Sequence, residues 1–256
     1  MRLLPRRLSP GQQASAVDHL GELRARLAVC VAALAAGSVL GYLVHGELLR
    51  LLEQPLPAEH RRLVVLGVSE AFTTALKLSV LAGFLLALPV ILWQVWSFLA
   101  PALPDGTRRS ARGLFALASG LLGAGVTFAY AVVLPAALGF LTTFDEQAYD
   151  TQLRAGDYLS FVTLVLVAVG IVFELPVFVL GLVRLGALRA RTLRRNRRIG
   201  YLAVAVVAVA LPGIDPVTTT LEALPLFALY EASIWLAVLL ERRLSLSDRG
   251  TRGAPA

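Results

Sequence analysis

Long apolar runs separated by charged loops constrain this chain more than any other feature. A helix needs about 20 predominantly apolar residues to cross a bilayer. Apolar runs cover residues 27–44, 72–99, 113–140, 158–183, 199–212 and 219–240. The only charges inside them are Lys77, Glu174, Glu222 and Glu231. Six spans therefore predict an all-α integral membrane protein. Fifty-seven per cent hydrophobic residues and a mean hydropathy of +0.73 agree.

The loops alternate in charge. Arginines gather in the N-terminal segment (Arg2, Arg6, Arg7, Arg24, Arg26) and the second loop (Arg108, Arg109, Arg112). They recur in the fourth loop, from Arg184 to Arg198, and in the tail (Arg242, Arg243, Arg249, Arg252). The intervening loops carry only Arg50, Arg61, Arg62 and Arg154, and collect the acids Glu47, Glu53, Glu59, Asp145, Glu146, Asp150 and Asp157. The positive-inside rule then puts both termini in the cytoplasm, as an even number of spans also requires. In a soluble protein a net charge of +7 would suggest nucleic acid. Here the arginines read as orientation signals facing anionic lipid, and no nucleic-acid partner is expected.

Residues 1–14 read as a flexible cytoplasmic arm, 15–243 as one membrane domain, and 244–256 as a disordered cytoplasmic tail. The first apolar run begins after 26 residues without a clear cleavage site, so it is expected to stay as an anchor. Leu20, Leu23 and Leu27 recur at helical spacing, predicting a short amphipathic helix that runs into the first span. Pro55 and Pro57 predict extended backbone in the first outer loop. Trp93, Trp96 and Phe98 fit an interfacial aromatic belt. Gly113, Gly120, Gly123 and Gly125 predict close helix approach along the third span, and Pro135 a kink at its outer end. The fifth run has about 14 residues, or roughly 21 Å. Helices five and six are expected to form a hairpin about Pro212–Pro216, both of them short.

Few residues carry chemistry. Cys30 is the lone cysteine, so no internal disulfide is possible, and His19, His45 and His60 lack metal-ligand spacing. No metal or cofactor is expected. Glu174 lies deep in the fourth span, where an ionised side chain costs at least about 2.5–3.5 kcal/mol. Pro176 removes a backbone donor and orphans the carbonyl of Val172, which a protonated Glu174 or a water could satisfy. The functional reading is a polar, hydrated pocket, and the plainer one a hydrogen bond to a neighbouring helix. Glu222 and Glu231 lie nine residues apart, on opposite helix faces, and are each expected to make a local polar contact. On spacing alone Glu22 is the i,i+4 partner of Arg26. No Ser/His, Asp/Asp or His-x-x-x-His constellation occurs in the spans, which argues against an intramembrane enzyme. A small secondary transporter or channel using Glu174 as a proton relay is the alternative, though such folds usually show internal repeats and this chain has none.

Several motifs together resemble the TatC family, the signal-peptide receptor of the twin-arginine protein translocase. His19-Leu-Gly-Glu-Leu-Arg24-Ala-Arg-Leu27 is similar to the family's entry motif. The segment Leu88-Pro-Val-Ile-Leu-Trp-Gln-Val-Trp-Ser-Phe-Leu-Ala-Pro-Ala-Leu103 resembles its second helix and first cytoplasmic loop, and Phe173-Glu-Leu-Pro-Val177 its fourth helix. Asp157-Tyr-Leu-Ser-Phe161, Leu229-Tyr-Glu231 and Ser69-Glu-Ala-Phe72 match in order. The resemblance covers about residues 15–243. It implies a non-enzymatic receptor in the bacterial cytoplasmic membrane, with six helices in a concave, cupped array. It further implies binding of twin-arginine signal peptides on folded cargo and recruitment of single-span TatA- and TatB-type partners. Transport would draw on the proton-motive force, and the receptor would self-associate in a larger complex.

By position, Glu22, Arg24, Phe98 and Pro101 match the signal-peptide site, and Glu174 matches the glutamate on the concave face. Two departures stand out. Where the family often has a glutamate before Arg-Arg, this chain has Thr107, and Asp105 is the carboxylate placed to stand in for it. Gly213-Ile214-Asp215 replaces Pro-Pro-Asp, and Thr219 replaces a glutamine, so docking of a partner helix here would use Asp215 and a hydroxyl.

Overall fold

The computed structural model describes residues 16–60, 63–99, 108–145, 152–213 and 215–252. Side chains at 16–19, 58, 96, 99, 108–112 and 242–252 lie outside that description. The described residues are helical apart from their connections and one isolated parallel bridge, Val64 with Arg154. Among the described residues ten α-helices occur in the order α1 (Ala16–Leu43), α2 (His45–Glu53), α3 (Glu70–Leu99), α4 (Arg108–Phe128), α5 (Leu134–Thr143), α6 (Ala155–Val172), α7 (Leu175–Arg184), α8 (Ala190–Arg195), α9 (Arg197–Ala210) and α10 (Pro216–Arg252). Among the described residues five helical segments are long and apolar enough to cross a membrane: Leu20–Leu43, Glu70–Val95, Gly113–Thr143, Ala155–Arg184 and Pro216–Glu241. Helix α9, at 14 residues, is shorter.

The chain forms two compact units. One comprises Met1–Leu49 and Phe72–Phe115, the other Arg50–Ala71 and Ala116–Ala256. In the first, α1 packs on α3 through small residues. A Cβ on Gly37 would stand 2.9 Å from the Gly83 backbone, and one on Gly41 2.8 Å from the Ser79 carbonyl oxygen. Lipid tails are as apolar as leucine, so burial of apolar area drives little association inside a bilayer. Close backbone approach supplies dispersion instead. Trp93 and Phe115 meet edge to face at 5.1 Å between ring centres.

In the second unit the third span is one continuous path with a wide turn. Residues Ala129–Val133 form a π-helical segment, in which the Leu134 N–H donates to the Ala129 carbonyl. Pro135 follows in the first turn of α5, so the widened turn absorbs the missing donor. Of the four glycines expected to seat a neighbouring helix here, only Gly125 does so. A Cβ there would lie 2.7 Å from the Phe173 Cβ, whereas Gly113, Gly120 and Gly123 meet nothing within 4 Å among the described residues. The fourth span breaks at Phe173–Glu174, and Pro176 sits in the first turn of α7, where no backbone donor is needed.

Helices α9 and α10 pair through Val204, Ala208 and Leu211 against Leu226, Tyr230 and Ile234. Gly200 faces the Tyr230 hydroxyl, and any side chain there would overlap it.

Two expectations need correction. The sixth helix is not short: α10 runs for 37 residues. Pro225 lies inside it without ending it, since a single missing donor is tolerated in a membrane helix. Nor is the first outer loop simply extended, because α2 occupies nine of its residues and a 3₁₀ turn covers Ala58–His60. Pro55 and Pro57 occupy the link between these two pieces.

Candidate functional site

In the first unit the candidate recognition residues gather around Arg26. One turn separates it from Glu22, and its Nε donates to Glu22 Oε1 at 3.0 Å. Nη1 reaches Gln94 Oε1 at 3.2 Å, and Nη2 reaches the Ser97 carbonyl at 3.1 Å. That carbonyl belongs to the last turn of α3, where helical partners run out. Arg26 therefore ties the start of the first span to the turn carrying Phe98, which is half-buried. Both Arg26 bonds to Glu22 fall on Oε1. Oε2 accepts none among the described residues, so the carboxylate keeps a face for a second donor. Arg24 is exposed. Pro101, Asp105 and Thr107 lie outside the described residues.

In the second unit an unforeseen carboxylate organises the loops. Glu70, at 7% exposure, accepts from the N–H groups of Leu66 (2.9 Å), Gly67 (3.0 Å) and Gly156 (3.2 Å), and from Arg154 Nε at 2.8 Å. The bonded carboxylate pushes the Arg154 guanidinium pKa further up from its ordinary value. The Val64–Arg154 bridge closes the same junction: Val64 N–H donates to Leu153, and Ala155 N–H donates to Val64. Nearby, the Tyr130 hydroxyl donates to the Leu51 carbonyl at 2.7 Å and the Tyr158 hydroxyl to that of Leu52. These carbonyls end α2, so two tyrosines cap a helix that has no glycine stop. The family-like segments at 69–72 and 157–161 thus contain structural partners of this loop assembly. A glutamate three residues beyond a glycine in a loop was the available signal for Glu70.

Glu174 stands at the break between α6 and α7. Neither carboxylate oxygen has a hydrogen-bond partner among the described residues, so of the two groups that could satisfy the Val172 carbonyl, Glu174 does not do so here. Phe173, beside it, packs against Phe128 with ring centres 5.6 Å apart.

At the α9–α10 turn Asp215 caps α10. Its Oδ1 accepts the Thr218 N–H at 2.7 Å, and Pro216 takes the first helical position. The Thr219 hydroxyl donates within the turn, with the carbonyls of Gly213 at 3.0 Å and Asp215 at 2.9 Å in reach. Both residues named for partner docking thus also build the turn. Glu222 is 2% exposed, and neither carboxylate oxygen has a partner among the described residues, contrary to the expected local contact. Glu231 does make one: Arg197 lies 3.2 Å away, and the Tyr201 hydroxyl donates to it.

A model of the family described as "Sec-independent protein translocase protein (TatC)" matches residues 18–225. The chain belongs to the TatC family.

The TatC protein of Carboxydothermus hydrogenoformans is 37% identical over 233 residues, covering 91% of this chain and 96% of that protein. The Deinococcus radiodurans TatC protein is 35% identical over 260 residues, with 96% and 94% covered. The chloroplast TatC protein of Pisum sativum is 34% identical, and the match covers 92% of this chain and 67% of that one. A crystal structure described as the twin arginine translocase receptor TatC aligns with TM-score 0.73 at 33% identity, over 86% of this chain and 98% of the other. As a TatC-family member the chain is an integral membrane component of the Sec-independent protein translocase, a transport subunit and not an enzyme. Membership also decides between protein translocation and the small-transporter alternative.

Proposed function

We propose that the chain is the receptor subunit that binds twin-arginine signal peptides on folded cargo. It crosses the membrane six times, α9 being the short fifth span, with both termini in the cytoplasm. The observation that carries the reading is the Glu22 carboxylate, held by Arg26 beside the turn of Phe98 with one oxygen unused among the described residues. A peptide guanidinium would pair with that oxygen, a charge-assisted bond stronger than a neutral one. The arginine-rich loops on the same side repel basic peptides that find no carboxylate, which favours selection by a few acids. Phe98 and Pro101 would flank the peptide, Arg24 would line the approach, and Asp105 would supply the carboxylate that Thr107 lacks. The arginine distribution supports the orientation.

The bound peptide would then recruit single-span TatA- and TatB-type partners and further copies of the receptor, with transport drawing on the proton-motive force. Asp215 and Thr219 mark the docking end of the α9–α10 hairpin, and Glu174 serves a deeper step in transport. Export of a folded twin-arginine cargo by membranes carrying Glu22→Gln tests the reading. Loss of export with normal insertion supports it, and full export rejects Glu22 as the receptor carboxylate.

A further inference from the structure

We infer that the α8 corner of this chain is a binding site for the phosphate headgroup of an anionic membrane lipid. The corner opens a groove of about 1320 Å³, lined by Arg191, Arg194 and Arg195 together with Thr192, Asn196 and Glu241. All three arginines are exposed, and none makes an ion pair among the described residues. The lining acid does not neutralise them by contact: Glu241 Oε1 accepts the Ala190 N–H at 2.6 Å and so anchors α8 to α10. Arg197 is set apart by its pair with Glu231. The groove therefore presents three guanidinium groups that are unpaired among the described residues, with hydroxyl and amide donors between them. Guanidinium meets phosphate oxygens through paired hydrogen bonds, which makes arginine the side chain suited to this anion.

Phosphate could arrive on a lipid or free in solution, and the surroundings favour the lipid. The groove lies where the apolar segments of α7 and α10 end. Its floor adjoins a small apolar cluster of Val183, Ala190 and Ala237. Beyond Asn196, the residues Ile199, Leu202, Val206 and Val209 follow at helical spacing along α9, each more than 60% exposed. That stripe continues from the arginines into the apolar layer, giving an acyl chain a track below a bound headgroup. Basic pockets at the membrane–cytoplasm boundary bind anionic lipid headgroups in this way. The site rests on the membrane orientation proposed above and is independent of signal-peptide recognition.

The test titrates the purified full-length protein, in neutral detergent, with dioleoyl phosphatidylglycerol, dioleoyl phosphatidylcholine or inorganic phosphate, reading bound lipid by native mass spectrometry. Phosphatidylglycerol is expected to bind in preference to phosphatidylcholine, and inorganic phosphate at matched concentration to leave it bound. The triple variant Arg191→Gln/Arg194→Gln/Arg195→Gln is expected to weaken phosphatidylglycerol on the order of a hundredfold. Arg243→Gln/Arg249→Gln/Arg252→Gln, which removes equal charge from the tail, is expected to leave it unchanged. The triple lysine variant at 191, 194 and 195 keeps the charge and the orientation signal, and is expected to lose about tenfold. Equal losses in the two glutamine triples, or full affinity in the lysine variant, would reduce the effect to diffuse charge and overturn the site. Displacement by matched inorganic phosphate would overturn the lipid assignment.

Discussion

Arg26 donates to Glu22 across one turn of α1 while its other nitrogen reaches the Ser97 carbonyl of α3. The two residues therefore have separable roles. Glu22→Ala removes the proposed peptide acceptor but leaves Arg26 its contacts on α3. It is expected to weaken twin-arginine peptide binding roughly tenfold to a hundredfold, by loss of a hydrogen bond between charged groups. Thermal unfolding in detergent should stay within about 1 kcal/mol of the parent. Arg26→Ala is expected to lower both stability and binding, because the turn of Phe98 loses its tie. Peptide titration beside thermal melts checks this, and equal stability losses in the two variants would contradict it.

Glu70 accepts from three backbone N–H groups as well as from the Arg154 guanidinium, which bonds it through Nε. Glu70→Ala strands three backbone N–H groups in addition to the guanidinium. It should lower the melting temperature more than Arg154→Ala does. Hydrogen exchange at Leu66, Gly67 and Gly156 should accelerate in Glu70→Ala and much less in Arg154→Ala. Equal exchange in both variants would place the junction's stability elsewhere.

The apolar runs were legible because hydropathy depends only on local composition, and among the described residues five of them coincide with helices long and apolar enough to cross a membrane. Glu22 with Arg26 was legible for the same reason: a four-residue spacing brings side chains together on one helix face. The Glu70 junction was not, because its partners lie 84 and 86 residues away along the chain. The length of α10 was misread because the apolar run ends at residue 240, whereas the helix itself continues beyond it to Arg252. The glycines show the same limit. Their abundance marked the third span, but close approach depends on the facing residue: in that span it occurs at Gly125, and elsewhere at Gly37, Gly41, Gly83 and Gly200 among others. Pro101, Asp105 and Thr107 were named only through the family resemblance and lie outside the described residues.

The α1–α3 contact gives a sharp pair of substitutions. Gly37→Ala drives a methyl group to 2.9 Å from the Gly83 backbone, where nothing flexible can yield. It is expected to destabilise by about 1–3 kcal/mol. Gly21→Ala meets nothing within 4 Å among the described residues and should be neutral or stabilising by up to about 1 kcal/mol through helix propensity. Thermal melts of the two variants check the contrast, and similar melts would reject the close packing.

Glu222 occupies a buried position without a hydrogen-bond partner among the described residues. Leaving such a group unsatisfied costs about 1–3 kcal/mol. Glu222→Leu is therefore expected to raise thermal stability by a similar amount while the α9–α10 turn, capped by Asp215, persists. A fall in stability would mean that the carboxyl has a stabilising partner in the folded protein.

The most direct test of the receptor account is photo-crosslinking of the membrane-embedded protein to a signal peptide bearing Arg-Arg, beside the same peptide with Lys-Lys. The account predicts labelling near Glu22 and Phe98 by the Arg-Arg peptide, strongly reduced with Lys-Lys, because an ammonium lacks the planar fork that pairs with a carboxylate. Equal labelling by the two peptides, or labelling confined to other segments, would contradict it.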